Sequence, residues 1–157
     1  MRAAGILHDI GKLGIADAVL HKPSGLDPRE WEEIRRHPEI GSRILEHANL
    51  RDIGAWVLAH HERVDGSGYP YGLAADDIPL EARILAVADA HEAMTADRPY
   101  RRALSLDVAR AQLRAGAGRQ FDAGVVDAFE RVLDRSQPAF VATVAPAAAR
   151  GGRIVGS

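Results

Sequence analysis

Seven histidines occur in this chain of 157 residues, and four of them, with two aspartates, stand in positions that suit metal ligation. His8 is followed by Asp9 and His60 by His61, His37 precedes Pro38, and Asp89 sits in the apolar run Ile84, Leu85, Ala86, Val87, Ala88 and Ala90. Imidazole nitrogens and carboxylate oxygens are the ligands of divalent metal ions. The chain has no cysteine, which excludes disulfides, thiolate zinc sites and cysteine nucleophiles and leaves nitrogen and oxygen ligands for any metal. Adjacent residues on an α-helix point about 100° apart, so His60 and His61, read as helical, would serve two neighbouring ions rather than chelate one. Asp9 adds an oxygen ligand able to bridge two metals, which sit about 3.5–4 Å apart in two-metal hydrolytic sites. Burying an unpaired Asp89 carboxylate costs several kcal/mol, so that residue needs a cation or strong donors nearby. His21, His47 and His91 lack such surroundings and read as surface or boundary residues.

Three basic residues could hold a phosphate against such a cluster. Lys12 stands four residues after His8, just past Gly11, within reach of a metal-held phosphate. Arg98 and Arg101 flank Pro99 and Tyr100 after the Asp89 helix, and guanidinium groups suit bidentate phosphate contacts. Each feature taken singly also has a plainer reading. His8 and Asp9 could be a surface pair, Asp89 one half of a buried ion pair, and the two arginines solvated loop charges.

The elements that must position these residues read as helices. Ala3 to Leu7 run into His8 with no N-cap residue ahead of them, as the last turns of a helix that Gly11 and Gly14 end. Ile15 to Leu20 forms one short turn capped by Asp17. Asp27, Pro28 and Glu30 are ordered as N-cap, N1 proline and N3 glutamate, so a helix begins at Pro28 and breaks near His37, ahead of Pro38. The next helix runs to about Ala48 with Ile40, Ile44 and Leu45 on one face. Ile53, Trp56, Val57 and His60 predict a further helix carrying His60 and His61 near its C-terminal end. Asp65 to Gly72 is a loop, and Pro79 to about Ala96 a long, mostly buried helix. Ser105 caps a helix to about Ala115 and Asp122 one ending near Asp134. No segment alternates with period two between hairpin turns, so the expected class is all-α. Residues 1–136 form the domain, and the Ala-, Pro- and Gly-rich stretch 137–157 reads as a flexible tail.

Composition sets the class of protein. With 46% apolar and 27% charged residues the chain reads as one globular domain rather than a disordered or membrane protein. A net charge of −2 and 5% aromatic residues argue against a nucleic-acid polymer as partner. No run approaches the roughly 20 apolar residues of a membrane span or forms a signal peptide, so a cytoplasmic location is expected.

The motifs together carry a resemblance. His8-Asp9-Ile10-Gly11-Lys12, His37-Pro38-Glu39-Ile40-Gly41, His60-His61-Glu62 leading to Gly68-Tyr69-Pro70, and Asp89 followed by Asp97-Arg98-Pro99-Tyr100-Arg101 resemble, in order and spacing, the HD-GYP domain. That family lies within the HD superfamily of metal-dependent phosphohydrolases. The resemblance covers residues 1 to about 134. It implies an all-α helical bundle that hydrolyses the bacterial second messenger cyclic di-GMP to pGpG or GMP at two or three iron or manganese ions. It implies His8, Asp9, His37, His60, His61 and Asp89 as metal ligands, with Asp9 as bridge. Asp9 and Lys12 become the catalytic pair, and Lys12, Arg98 and Arg101 the phosphate contacts. The glycines of the Gly66 to Pro70 loop permit close backbone approach, so Gly68, Tyr69 and Pro70 would shape the rim for a dinucleotide. Clustered cations lower the pKa of a bound water for attack on phosphorus, which agrees with the reading from ligand types.

The family carries a further His on a helix upstream of the His-Asp pair, and Met1 stands only seven residues before His8. The resemblance therefore implies a bundle lacking its first helices, one weakly held ion and impaired activity, an upstream sensor or receiver module, and is compatible with a homodimer. The rival reading is a catalytically weak module that binds cyclic di-GMP or a protein partner. A third, an HD hydrolase acting on another nucleotide, fits the Gly-Tyr-Pro loop and the two arginines less well.

Overall fold

The computed structural model of the chain describes residues 1–97 and 102–136. Among these the architecture is all-helical: α1 (Arg2–Leu7), α2 (Asp17–Leu20), α3 (Pro28–Ile34), α4 (His37–His47), α5 (Arg51–Leu58), α6 (Leu80–Thr95), α7 (Leu106–Gly116) and α8 (Ala123–Ser136), with 3-10 turns at Ile10–Gly14 and Ala75–Asp77. Extended pairing among the described residues is confined to isolated bridges, Asp65 with Ala74 and Ala117 with Phe121. Residues 98–101 and the stretch 137–157, on which two arginine assignments and the expected tail fall, lie outside the described residues.

Local chemistry explains most boundaries. Asp27 accepts from the backbone N–H groups of Arg29 and Glu30, while Glu30 reaches back to the Asp27 N–H, a complete capping box that starts α3 at Pro28. Ser105 caps α7 by accepting from Val108, and Asp122 accepts from Val125 at the start of α8.

Other boundaries differ from the sequence reading. The first helix ends at Leu7, and Gly11 and Gly14 belong to the 3-10 turn that follows it. Ala16 rather than Asp17 occupies the N-cap of α2, and its N–H donates to Glu33 across the chain. The break between α3 and α4 falls at Arg35 and Arg36, so His37 is already helical, with Pro38 in the first turn where its missing N–H costs nothing. Burial on α4 follows His37, Pro38, Gly41, Ser42 and Leu45, leaving Ile40 and Ile44 half-buried. Helix α6 is less enclosed than expected: Ala82, Leu85 and Val87 are buried, but Leu80 is exposed and most other positions are intermediate.

Two apolar clusters hold the helices together. Val87, Leu113, Phe121, Val125 and Val126 join α6, α7 and α8, and Ala59, Ile78 and Ala82 join the end of α5 to α6. Leu45 and Val57 are fully enclosed on α4 and α5. The 3-10 turn Ile10–Gly14 packs closely on α4, because Gly11 has no side chain: a Cβ there would lie 1.9 Å from the His37 carbonyl oxygen. That contact fixes the segment carrying His8, Asp9 and Lys12 against the start of the helix carrying His37.

Candidate metal centre

Four histidines from three places in the chain converge. His37 opens α4, His8 caps the end of α1, and His60 and His61 lie in the turn just beyond α5 rather than on it. Leaving the helix changes their geometry. The His60 and His61 rings stand 3.9 Å apart at 38°, and His37, His60 and His61 each offer a ligand nitrogen within 4.8 Å of the others. The two adjacent histidines therefore face a common point, which helical spacing would have denied them.

Three rings are oriented the same way. His8, His37 and His60 donate Nδ1–H to the carbonyls of Gly5, Ile34 and Val57, each three residues earlier, at 2.8, 2.7 and 2.5 Å. In a neutral imidazole a backbone carbonyl on Nδ1 leaves Nε2 with its lone pair and fixes the ring, the usual outer support of a metal-binding histidine; in His8 without metal, Nε2 instead donates to the two carboxylates. The Nε2 atoms of His37 and His60 are buried without a hydrogen-bond partner among the described residues. Orphaned buried nitrogens of this kind are rare, and a cation satisfies both.

The carboxylates complete the set. Asp9 presents Oδ1 at 3.5 Å from His37 Nε2 and Oδ2 at 3.4 Å from His8 Nε2, while Lys12 donates to the same Oδ2 at 2.6 Å. Asp89 Oδ1 lies 3.4 Å from His8 Nε2. Asp89 is not embedded in apolar packing as its neighbours suggest: its side chain is 25% exposed and lines, with Gly5, His8, Asp9, Leu85 and Ala88, a cavity of about 490 Å³. All six sequence-derived ligand candidates thus stand in one cluster. His21 and His47 are exposed and His91 is a half-buried boundary residue, its ring edge-on to Phe129 and its Nε2 enclosed.

Burial holds His60 and His61 neutral, pushing them down to about 4 and about 3, with neighbouring imidazolium charge adding to the effect. His8 moves the other way, to about 10, because Asp89 and Asp9 accept from it, against the opposing effect of burial. Burial opposes ionisation of Asp9, yet hydrogen bonds from His8 and Lys12 hold its carboxyl well below the usual range. In the metal-free protein these shifts set opposite limbs of stability. Below 6.5, the ordinary histidine value, the unfolded chain binds protons that folded His60 and His61 refuse, so stability decreases as the pH is lowered. Asp9 adds to that acid limb as its carboxylate protonates. The His8 contribution is complete below 6.5 and is lost as pH climbs from 6.5 to about 10. The thermal midpoint measured in chelator is expected to peak at roughly pH 6–7 and to decline on both sides. A midpoint that stays level from about pH 7 to 10 would contradict the His8 charge pairing.

The Gly-Tyr-Pro loop lies against the cluster. The Tyr69 ring stacks on His61 at 4.8 Å and 28°, and its phenol is pushed up to about 12 by burial, so it stays neutral. Gly68 is pressed onto the chain beyond His61, where a Cβ would come within 2.4 Å of the Arg63 nitrogen.

Sequence reasoning assigned no role to Glu62, the residue that ties down the far end of this loop. It is 4% exposed and accepts the backbone N–H groups of Tyr71 at 2.7 Å and Leu73 at 3.0 Å. The sequence signal was its place directly after His61, where a buried carboxylate needs donors. Glu62→Ala orphans two donors and is expected to cost about 1–3 kcal/mol in chemical denaturation, with faster hydrogen exchange at Tyr71 and Leu73. Unchanged exchange at both amides would remove this role.

Comparison with known proteins gives a family match and several relatives named as phosphodiesterases. Residues 1–125 match the model of the HD domain family. The chain is 50% identical over 131 residues to "Cyclic di-GMP phosphodiesterase response regulator RpfG" of Xanthomonas campestris pv. campestris, covering 82% of this chain and 35% of that protein. It is 45% identical to "Cyclic di-GMP phosphodiesterase" of Thermotoga maritima (80% and 35% covered) and 38% identical to "3'3'-cGAMP-specific phosphodiesterase 3" of Vibrio cholerae (85% and 29% covered). The chain therefore spans about a third of the length of the curated relatives it matches. A crystal structure of a cyclic GMP-AMP-specific phosphodiesterase of V. cholerae superposes with a TM-score of 0.65 at 16% identity, covering 83% of this chain and 37% of that one, a likeness of fold.

Proposed function

Because the chain belongs to the HD domain family and carries the Gly68-Tyr69-Pro70 triplet of the HD-GYP type, we propose that it is a metal-dependent phosphodiesterase that hydrolyses cyclic di-GMP to pGpG or GMP. The observation that carries this reading is the convergence of His37, His60 and His61, two of them with buried, unpartnered Nε2 atoms, beside the His8–Asp9–Asp89 group. These six residues fit two or three divalent ions, and a nitrogen and carboxylate set without thiolate suits iron or manganese. Such ions, when bound, supply charge neutralisation at phosphorus and a more acidic water.

The chain's own residues prepare the rest. Neutral His60 and His61 keep their lone pairs available at physiological pH. Asp9, with its two oxygens turned toward different histidines, is suited to the bridging role and remains ionised beside Lys12. Lys12 positions that carboxylate and offers positive charge to a phosphate. Tyr69, stacked on His61, closes one side with a neutral hydroxyl and an aromatic face. Arg98 and Arg101 are further phosphate contacts in this reading.

Among the described residues no helix is long and apolar enough to cross a membrane. We take the chain to work in the cytoplasm, joined to a sensor or receiver module. That one relative is called a response regulator supports the receiver module. Protein loaded anaerobically with Fe(II) or Mn(II) should convert cyclic di-GMP to pGpG or GMP on chromatography, and excess chelator should stop it. A run with 3'3'-cGAMP tests the substrate. Cleavage of the mixed dinucleotide alone would replace cyclic di-GMP in this reading, and cleavage of neither would overturn it.

A further inference from the structure

Resting on the phosphodiesterase reading, we propose that Arg35 is a substrate-binding residue whose guanidinium, seated on the Tyr69 ring, takes a phosphodiester oxygen of the dinucleotide. Arg35 is the C-cap of α3 and lies two residues before His37, its backbone N–H held by the Trp31 carbonyl at 3.0 Å. Its side chain is exposed, and Cζ stands 5.3 Å from the centroid of Tyr69. Tyr69 in turn stacks on His61, so this cation is one ring removed from the histidine cluster.

Arg35 combines two features: its place on Tyr69 beside the cluster, and a charge that no described carboxylate takes up. Lys22, Arg63, Arg83, Arg110 and Arg114 are paired with carboxylates. Lys12, the other cation set against the cluster, already gives a hydrogen bond to Asp9. Among the described residues no carboxylate pairs with Arg35. A guanidinium lying over an aromatic face uses its π surface there, and its in-plane N–H donors remain for an acceptor. A cyclic dinucleotide carries two phosphodiester anions, while the cluster itself contributes the negative charges of Asp9 and Asp89. A fixed cation on the Tyr69 side meets that need. Its platform is held in place too, since Gly68 is wedged against the chain after His61 and Glu62 anchors the loop beyond Tyr69.

The test is steady-state kinetics on cyclic di-GMP with metal-saturated protein, comparing wild type with Arg35→Met and Arg35→Lys. Charge-assisted contacts to phosphate predict that Arg35→Met raises KM at least about tenfold, leaves kcat within about threefold and leaves metal content unchanged. Arg35→Lys keeps the charge and should recover KM to within about threefold of wild type. An unchanged KM in Arg35→Met, equal defects in both variants, or a lowered thermal midpoint or metal content would overturn the proposal and leave Arg35 a packing residue on Tyr69. Wild-type protein that neither cleaves nor binds cyclic di-GMP would overturn the phosphodiesterase reading, and the proposal with it, before any variant is compared.

Discussion

Asp9→Ala is expected to lower cyclic di-GMP hydrolysis by at least about 100-fold and to reduce the metal held per chain. No other single side chain among those described touches both parts of the cluster in the same way. One oxygen faces His37 Nε2 and the other faces His8 Nε2 and Lys12 Nζ. Its removal strips an oxygen ligand, frees the Lys12 ammonium and leaves His8 with Asp89 as its remaining carboxylate. The His8 imidazole should then titrate below its present value of about 10, a shift that proton NMR reads in the metal-free protein without any assay of activity. The matched control is His47→Ala. His47 is exposed and its Nδ1–H donates to the Arg43 carbonyl one turn back on the same helix, so its loss should change activity by no more than about twofold. Equal losses from the two variants would show that the sorting of ligands from surface histidines is wrong.

Gly11→Ala should damage the fold and the site together. The added methyl group would lie 1.9 Å from the His37 carbonyl oxygen and 2.6 Å from the Gly41 nitrogen, both backbone atoms that cannot swing aside. The 3-10 turn must therefore separate from α4. Overpacking against backbone at such distances is expected to cost at least about 3 kcal/mol, a fall of roughly 6–12 °C in the thermal midpoint. Because the same contact sets Asp9 against His37, metal affinity should fall with it. Gly5→Ala is the comparison, since nothing lies within 4 Å of the Cβ it would add. A Gly11→Ala protein as stable as wild type would mean that the turn does not rest on α4 as described.

The members of the cluster were legible in the sequence as candidates because imidazoles and carboxylates are chemically distinct, and their neighbours in the chain marked them: His8 with Asp9, His60 with His61, Asp89 among aliphatics. The capping residues Asp27, Ser105 and Asp122 were legible for the same reason, each acting within three residues of itself. What escaped the sequence depended on contacts across the chain. That α5 stops at Leu58, so that His60 and His61 converge instead of diverging by a helical step, follows from the turn that docks them beside His37. Glu62 acts on Tyr71 and Leu73, nine and eleven residues on, and the close approach of Gly11 to His37 involves two different elements. Asp89 looked enclosed because its helical neighbours are apolar, but the helix turns it toward a cavity shared with His8 and Asp9.

The central claim is that these residues form one hydrolytic centre that works only with metal, and more than one ion of it. Metal-free protein titrated anaerobically with Fe(II) or Mn(II), with cyclic di-GMP cleavage and bound metal followed in parallel, tests that claim most directly. Cleavage should be absent before metal is added, rise with bound metal, and level off above one ion per chain. Cleavage that persists in excess chelator, or that is complete at one ion per chain or fewer, would contradict it.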